Sequence, residues 1–459
     1  MFFRQLYLGC LAQASYVIGS AGRAAVIDPR RDVDEYLAVA ADNGLTIDYV
    51  IETHLHADFV SGHRELAERT GAAIVIGREA AAEFSHIAVA DGDVLPLGEI
   101  ALRVLATPGH TPESISLLVE ENGRPLKVLT GDTLFIGDVG RPDLAAGAGF
   151  TPEQMAATLY ESLHAKLLAL PDDVEVWPAH GAGSLCGRNM SKETSSTIGL
   201  QRRMNYALHP MAKDDFVSMM TRDMVEAPAY FPRGARINRR GARALRDVPS
   251  PREVPPREAM RAIARGATVL DLRGAEAYGP LHVPRAVNVG LAGQFASWAG
   301  TLIPPEAELL LVGDGGEQIE EAVMRLARVG LENARASLRG GMGAWSDAGL
   351  PIAIVPQIQV EELIRMQERD PRLQVIDVRR PAEHRQAHVP GAVNLPLHEL
   401  AAGAARLDPS RPVAAICAGG YRSSIGTSIL ERLRFPELFN VAGGTAAWLA
   451  AGYPSERAA

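Results

Sequence analysis

The sequence predicts a multidomain α/β protein, and three observations carry that expectation. Strand-like runs alternate with amphipathic stretches, the second half repeats itself, and His and Asp residues gather at the ends of strand-like runs in the first half. The chain has 459 residues, which at roughly 100 to 200 residues per domain allows two to four domains. Hydrophobic residues make up 47% and charged residues 22%, ordinary values for a chain with several cores. No run of about 18 apolar residues offers a bilayer span. The formal net charge of -9 argues against a nucleic-acid or anionic-membrane surface, so an anionic substrate must be met by local arginines.

The start, MFFRQLYLGC, has the outward look of a secretion signal ending in a lipid-attachment cysteine. Arg4, Gln5 and Gln13 interrupt it, and it runs into SYVIGSAGRAAVIDPR, a strand, a Gly turn and a second strand. Residues 1–29 are therefore expected to be folded sheet and the protein cytoplasmic. Cys10, Cys186 and Cys417 are too few and too odd in number for a disulfide framework, which favours a reducing compartment. Cys10 is expected within a strand as a small buried apolar residue.

The first 230 or so residues carry the strand-like runs AAVID, YVIETH, AAIVIG, ALRVLATP, ISLLVEE, KVLTGD and VEVWPAH, with helical HRELAERTG and PEQMAATLYESLHAKLLAL between them. In layered α/β folds, loops converge at strand ends and sites form there. His54, His56, His110, Asp132 and His180 each follow such a run. Several spaced His and Asp residues in that setting point to a metal centre. THLHADF has the spacing of a dinuclear H-x-H-x-D-H motif, but Phe59 stands where the last His would be and cannot bind metal. His63, His86, His164 and His209 have no comparable setting and are expected to be structural or solvated.

T-H-L-H-A-D, T-P-G-H-T, G-D-T-L-F and P-A-H-G resemble, in order, the motifs of the metallo-β-lactamase superfamily over residues 1–230, and TGDTLFIGDVGRPDL is similar to its persulfide dioxygenase branch. The resemblance implies an αββα sandwich, placed at 1–245 with its C-terminal linker, and one Fe(II) per chain held by His54, His110 and Asp132. Two imidazoles and a carboxylate on one face suit a non-haem iron that binds substrate and O2. A second metal would need Asp58, the next residue and His180 with a shared Asp132, and Phe59 removes one of these. His56, Asp58 and His180 are then supporting groups, and Arg141 and Asp143 are expected to pair near the site. Cys186, in the HGAGSLCG loop, is weighed as a sulfur relay against simple packing.

After residue 250, VLDLRGAEAYGPLHVPRAVNVG (269–290) matches VIDVRRPAEHRQAHVPGAVNLP (375–396), and SLRGGMGAWSDAGLP (337–351) matches NVAGGTAAWLAAGYP (440–454). An offset of about 105 residues means two whole domains, not solenoid units. Their strands and helices alternate, as parallel-sheet α/β domains do. Domains are expected at 250–355 and 357–459, with residues 233–256 as a linker and 355–360 as a junction. ICAGGYRSS (416–424) puts Cys417 between a strand and a helix, where backbone N–H groups, the helix end and Arg422 favour a thiolate.

These segments resemble the rhodanese family, which implies that Cys417 carries sulfur and Arg422 stabilises the persulfide. In the first copy Gly313 and Gln318 stand opposite Cys417 and Arg422, so that copy is expected to be non-catalytic. The whole arrangement resembles persulfide dioxygenase–sulfurtransferase fusions. The substrates implied are a low-molecular-weight thiol persulfide, O2 and sulfite or thiosulfate, with no nucleic-acid or membrane partner; the first repeat and the linker offer surfaces for a homo-oligomer. Two alternatives stay open: a thioester hydrolase of the hydroxyacylglutathione type fused to a sulfurtransferase, and a non-oxidising persulfide-binding sulfur relay.

Overall fold

Strand Gln13–Ser20 is buried along its whole length, so its sheet must be covered on both faces. In the computed structural model, which describes residues 1–457 except 146, 148, 189, 223 and 225, that sheet holds six strands in chain order. They are Phe2–Leu8, Gln13–Ser20, Arg23–Ile27, Thr46–Glu52, Ala73–Gly77 and Ile87–Val89. The first three pair antiparallel and the rest parallel. Side chains alternate between faces. Tyr16, Ile18, Ile27, Ile51 and Val75 pack inward on Leu102, Val104, Leu117, Val119 and Leu129 of a second six-stranded sheet. Val17, Val26 and Val50 face outward onto Tyr36 and Val39 of helix Asp34–Asp42 and Leu66 of helix His63–Thr70.

The second sheet runs in the order Ser196–Thr197, Glu175–Pro178, Arg124–Gly131, Ile115–Glu121, Ile100–Ala106 and Val94–Leu97. Its outer face, with Leu118, Val128 and Val176, is covered by helices Pro152–Glu161 and Lys213–Thr221 through Leu159 and Phe216. Thr151 and Gln154 form a reciprocal capping box at the start of helix Pro152–Glu161, with Pro152 at its first position. Helix, sheet, sheet and helix thus form the four αββα layers. This unit comprises Met1–Val248 with Ala327–Gly330; Pro249–Leu326 and Leu331–Ala459 form the other.

The second unit contains two five-stranded sheets in which every pair is parallel. Their orders are Arg252–Val254, Ala334–Leu338, Leu309–Val312, Thr268–Asp271, Val287–Asn288 and, in the same pattern, Gln357–Ile358, Leu438–Val441, Val413–Ile416, Gln374–Asp377, Val393–Asn394. Each sheet centres on the same buried devices. Asp271 with Arg273, and Asp377 with Arg379, form ion pairs whose guanidinium also donates to the carbonyls of Leu281 and Ala387. Trp345 and Trp448 are fully buried, and their indole N–H groups donate to Pro351 O and Pro454 O at 2.8 and 2.7 Å.

Three expectations need correction. Residues 233–256 are not a linker: Phe231–Arg240 is a helix, Leu245–Asp247 a 3-10 turn and Arg252–Val254 an edge strand. The Arg-rich composition misleads because buried Tyr230 and Phe231 anchor this segment, and Gly234 lets the helix close on Ala57, whose carbonyl would lie 2.2 Å from any Cβ there. The 355–360 junction is likewise part of a sheet, with Gln357 and Ile358 opposite Asn440 and Val441. Cys10 lies in the turn after the first strand and is only partly buried.

Trp448→Ala is expected to destabilise the second unit by about 3–5 kcal/mol, since it opens a cavity at a fully buried site. Trp448→Phe should cost less. Urea denaturation monitored by far-UV circular dichroism measures both.

Candidate metal centre and cysteine loop

Thr46–Glu52 ends in Thr53 and His54, and the parallel order of its sheet aims this strand end at the same rim as Asp28. Asp28 accepts the Thr53 backbone N–H at 2.7 Å and the Thr53 hydroxyl at 2.8 Å. The hydroxyl, its hydrogen committed, is left to accept from His54 Nδ1 at 3.0 Å, which leaves His54 Nε2 with its lone pair. His110 is set the same way, its Nδ1 donating to Arg141 O at 2.9 Å, and so is His180, its Nδ1 donating to Ala12 O at 3.2 Å. Three imidazoles therefore present Nε2 lone pairs, and each faces Asp132.

His110 Nε2 and His54 Nε2 lie 3.4 and 3.8 Å from Asp132 Oδ2, and His180 Nε2 lies 3.6 Å from Oδ1. All four side chains are essentially buried, and among the described residues neither Asp132 oxygen has a hydrogen-bond partner. Burial, and for His54 the neighbouring imidazoles, holds the pKa of His54 well below the ordinary histidine value and lowers that of His110. Imidazole lone pairs converging on a buried carboxylate fit a cation, which would offset the cost of burying that carboxylate. The ligand atoms of His54, His110 and Asp132 lie within 4.8 Å of one another.

His56 goes elsewhere. Its Nε2 lies 3.0 Å from Asp28 Oδ1 and 3.5 Å from Glu52 Oε2, and its ring packs against Phe59 at 4.3 Å, tilted by 34°. Burial alone would lower its pKa, but the carboxylates of Asp28, Glu52 and Asp58 outweigh burial and raise it. Asp58 is buried, its Oδ2 3.4 Å from His180 Nε2 and its Oδ1 without a hydrogen-bond partner among the described residues. His56, Asp58 and His180 thus form a second cluster, and Cys186 joins Asp132 and His180 in a third. The Cys186 thiol is buried, and burial with the charges of Asp58 and Asp132 holds its pKa well above the usual thiol value, which opposes a thiolate there in the absence of a cation. Arg141 forks onto Asp143 with two bonds of 2.6 Å, and its N–H and Nη1 hold Cys186 O and Leu185 O. Gly140 permits this crowding, since a Cβ there would fall 1.9 Å from Asp132 O.

Sequence reasoning missed the supports. Asp28 ends a strand as the ligands do, and that position was a readable signal. Asn238 was not readable: from helix Phe231–Arg240 its amide donates to His56 O and Phe59 O at 2.7 and 2.8 Å and accepts Ser61 N–H at 2.8 Å. Glu113 accepts Leu55 N–H at 2.9 Å. His63 is buried beside Glu52, and His86, His164 and His209 lie outside these clusters.

In the second unit, Cys417 ends strand Val413–Ile416 and is 1% exposed. Its sulfur accepts Gly420 N–H at 3.1 Å and the Ser423 hydroxyl at 3.3 Å. Gly420, at φ 99°, begins helix Tyr421–Arg432, a backbone conformation that favours glycine. Arg422 does not stand free beside the sulfur: it forks onto Glu383 at 2.7 and 2.8 Å. In the first repeat, Gln318 folds over the corresponding loop, its Oε1 accepting Asp314 N–H at 2.9 Å and lying 3.1 Å from where a Cβ on Gly313 would sit. That repeat also braces the cysteine helix. Gly290 O accepts the Tyr421 hydroxyl at 2.9 Å, Asn288 Oδ1 accepts from Ser424 at 2.7 Å, and His282 Nε2 lies 2.9 Å from Glu431.

Family models match the chain as the metallo-beta-lactamase superfamily over residues 8–180 and as rhodanese-like domains over 255–348 and 359–451. A mitochondrial persulfide dioxygenase of Homo sapiens is 30% identical over 224 residues, covering 48% of this chain and 80% of that protein. A hydroxyacylglutathione hydrolase of Anaeromyxobacter dehalogenans is 36% identical over 167 residues, covering 36% of this chain and 60% of that protein. A crystal structure of a metallo-beta-lactamase from Staphylococcus aureus is 32% identical, with a TM-score of 0.66, and the match spans 73% of this chain and 98% of that one.

Thr53→Val should weaken metal binding about 10- to 100-fold by freeing the His54 ring, whereas Thr53→Ser should retain it. Chelator competition on the full chain gives both affinities.

Proposed function

The chain belongs to the metallo-beta-lactamase superfamily, with persulfide dioxygenases among its relatives and two rhodanese-like domains following, and we propose that it oxidises low-molecular-weight thiol persulfides with O2 to sulfite and thiol and transfers sulfur through Cys417 to give thiosulfate. The observation that carries the reading is the division of labour at the first site. His54, His110 and Asp132 face one another with free donor atoms, while His56 is drawn to Asp28 and Glu52 and shielded by Phe59. That favours one metal over two.

An Fe(II) held by His54, His110 and Asp132 would supply redox chemistry and exchangeable positions for sulfur and O2. Thr53 and Arg141 O keep both imidazoles in the metal-binding tautomer. Arg141 and Asp143 neutralise each other and hold the 185–186 loop against the site. Asp58 and His180, 3.4 Å apart, would exchange a proton with bound substrate. Cys186, buried and with its thiol pKa raised, is assigned to packing rather than relay.

At the cysteine loop, the Cys417 thiolate attacks the outer sulfur of a persulfide; the new S–S bond forms as the old one breaks, and the thiol leaves with the proton. Sulfite sulfur then attacks the outer sulfur of the Cys417 persulfide, releasing thiosulfate and restoring the thiolate. Gly420 N–H and the Ser423 hydroxyl stabilise sulfur charge in both steps. Carrying both sites on one chain raises the local concentration of sulfite for the second reaction.

A dinuclear thioester hydrolase is the second reading, favoured by the clustering of His56, Asp58 and His180 and by the hydroxyacylglutathione hydrolase match. Two metals per chain with thioester turnover and no O2 uptake would establish it instead. No helix among the described residues is long and apolar enough to cross a membrane, and we place the protein in the cytoplasm.

His110→Ala should abolish persulfide-dependent O2 uptake in anaerobically iron-loaded protein and leave thiosulfate:cyanide sulfurtransfer intact; Cys417→Ser should do the reverse. An oxygen electrode and a thiocyanate assay on each variant separate the sites. Phe59→His should raise metal stoichiometry above one per chain, measured by elemental analysis.

A further inference from the structure

Arg422 is the cation expected to attract anions to Cys417, yet its charge is already answered. Both terminal nitrogens fork onto Glu383, and the pair is partly buried, with side-chain exposures of 19% and 34%. Glu383 is itself fixed, since its Oε2 accepts the N–H of Arg380 at 3.1 Å at the start of helix Pro381–Gln386. Beneath it, Asp377 is held by Arg379 and approached by His384 Nδ1 at 3.2 Å. Burial would raise the Glu383 pKa, but the bonds and charge of Arg422 outweigh it and hold the carboxyl below the usual range. The loop therefore meets its substrate as paired charges beside Cys417.

Resting on the sulfur-carrier reading of Cys417, we propose that Glu383 is a specificity-determining residue: by occupying Arg422 it disfavours dianionic sulfur donors such as thiosulfate and favours less charged organic persulfides. A dianion approaching that planar guanidinium meets a cation whose charge and two of whose five N–H donors are already answered by a bidentate carboxylate, whereas a persulfide whose outer sulfur enters the Gly420 and Ser423 donors does not draw on that cation.

The test uses the full chain and two readouts. Cys417 alkylation by anionic iodoacetate and neutral iodoacetamide, followed by peptide mass spectrometry, reports local charge without any sulfur chemistry. Glu383→Gln should raise the iodoacetate-to-iodoacetamide rate ratio about tenfold, salt should shrink that gain, and the KM for thiosulfate should fall several-fold with a smaller change in kcat. Arg422→Gln should lower the ratio, and the double variant should return it towards wild type. Parallel changes with both reagents, or an unchanged ratio in a folded Glu383→Gln protein, overturn the proposal. Should Glu383→Gln not fold, Arg422→Gln decides alone: a ratio that fails to drop overturns it. Absence of sulfurtransfer in the wild type would sink the sulfur-carrier reading, while the alkylation ratio would still report the charge.

Discussion

A carboxylate buried at a strand end, with neither oxygen finding a hydrogen-bond partner among the described residues, is the constraint on which the first unit turns. Leaving Asp132 charged and alone there would cost several kcal/mol, and the surroundings supply lone pairs instead of protons. Each imidazole that faces it has its far nitrogen engaged by an oxygen: a hydroxyl at His54, carbonyls at His110 and His180. The geometry is prepared for a positive ion by the orientation of groups one bond removed from it.

Much of this was legible because strand ends are where chemistry collects. The α/β class, the repeat and a metal centre among His and Asp residues followed from alternation, self-similarity and spacing, whereas the αββα layers and the set of His54, His110 and Asp132 were implied by the family resemblance. What escaped depended on contacts between residues far apart in sequence. Asn238 acts 182 residues from His56, inside a segment whose Arg, Pro and Gly content reads as linker. Glu383 pairs with Arg422 across 39 residues, so a cation inferred to be available proved to be engaged. Composition can say that a charge exists; only packing says whether it is already answered.

The first rhodanese-like repeat illustrates how packing outlives chemistry. It has lost both cysteine and cation, and Gln318 covers the loop, yet it keeps the buried Asp271–Arg273 pair and Trp345. Its Gly290 and Asn288 meet Tyr421 and Ser424 in the first turns of the helix that starts beside Cys417. A domain without the cysteine thereby helps fix where its sibling's cysteine sits.

The clasp formed by Asn238 has a consequence for where the catalytic body ends. Every proposed metal donor lies before residue 133, and the second cluster is complete at residue 180. A chain cut at residue 230 would own all of them while leaving the carbonyls of His56 and Phe59 unheld. Autonomy here is governed by the last strut rather than the last ligand, so evolutionary shuffling of this module must carry a tail with no chemistry of its own.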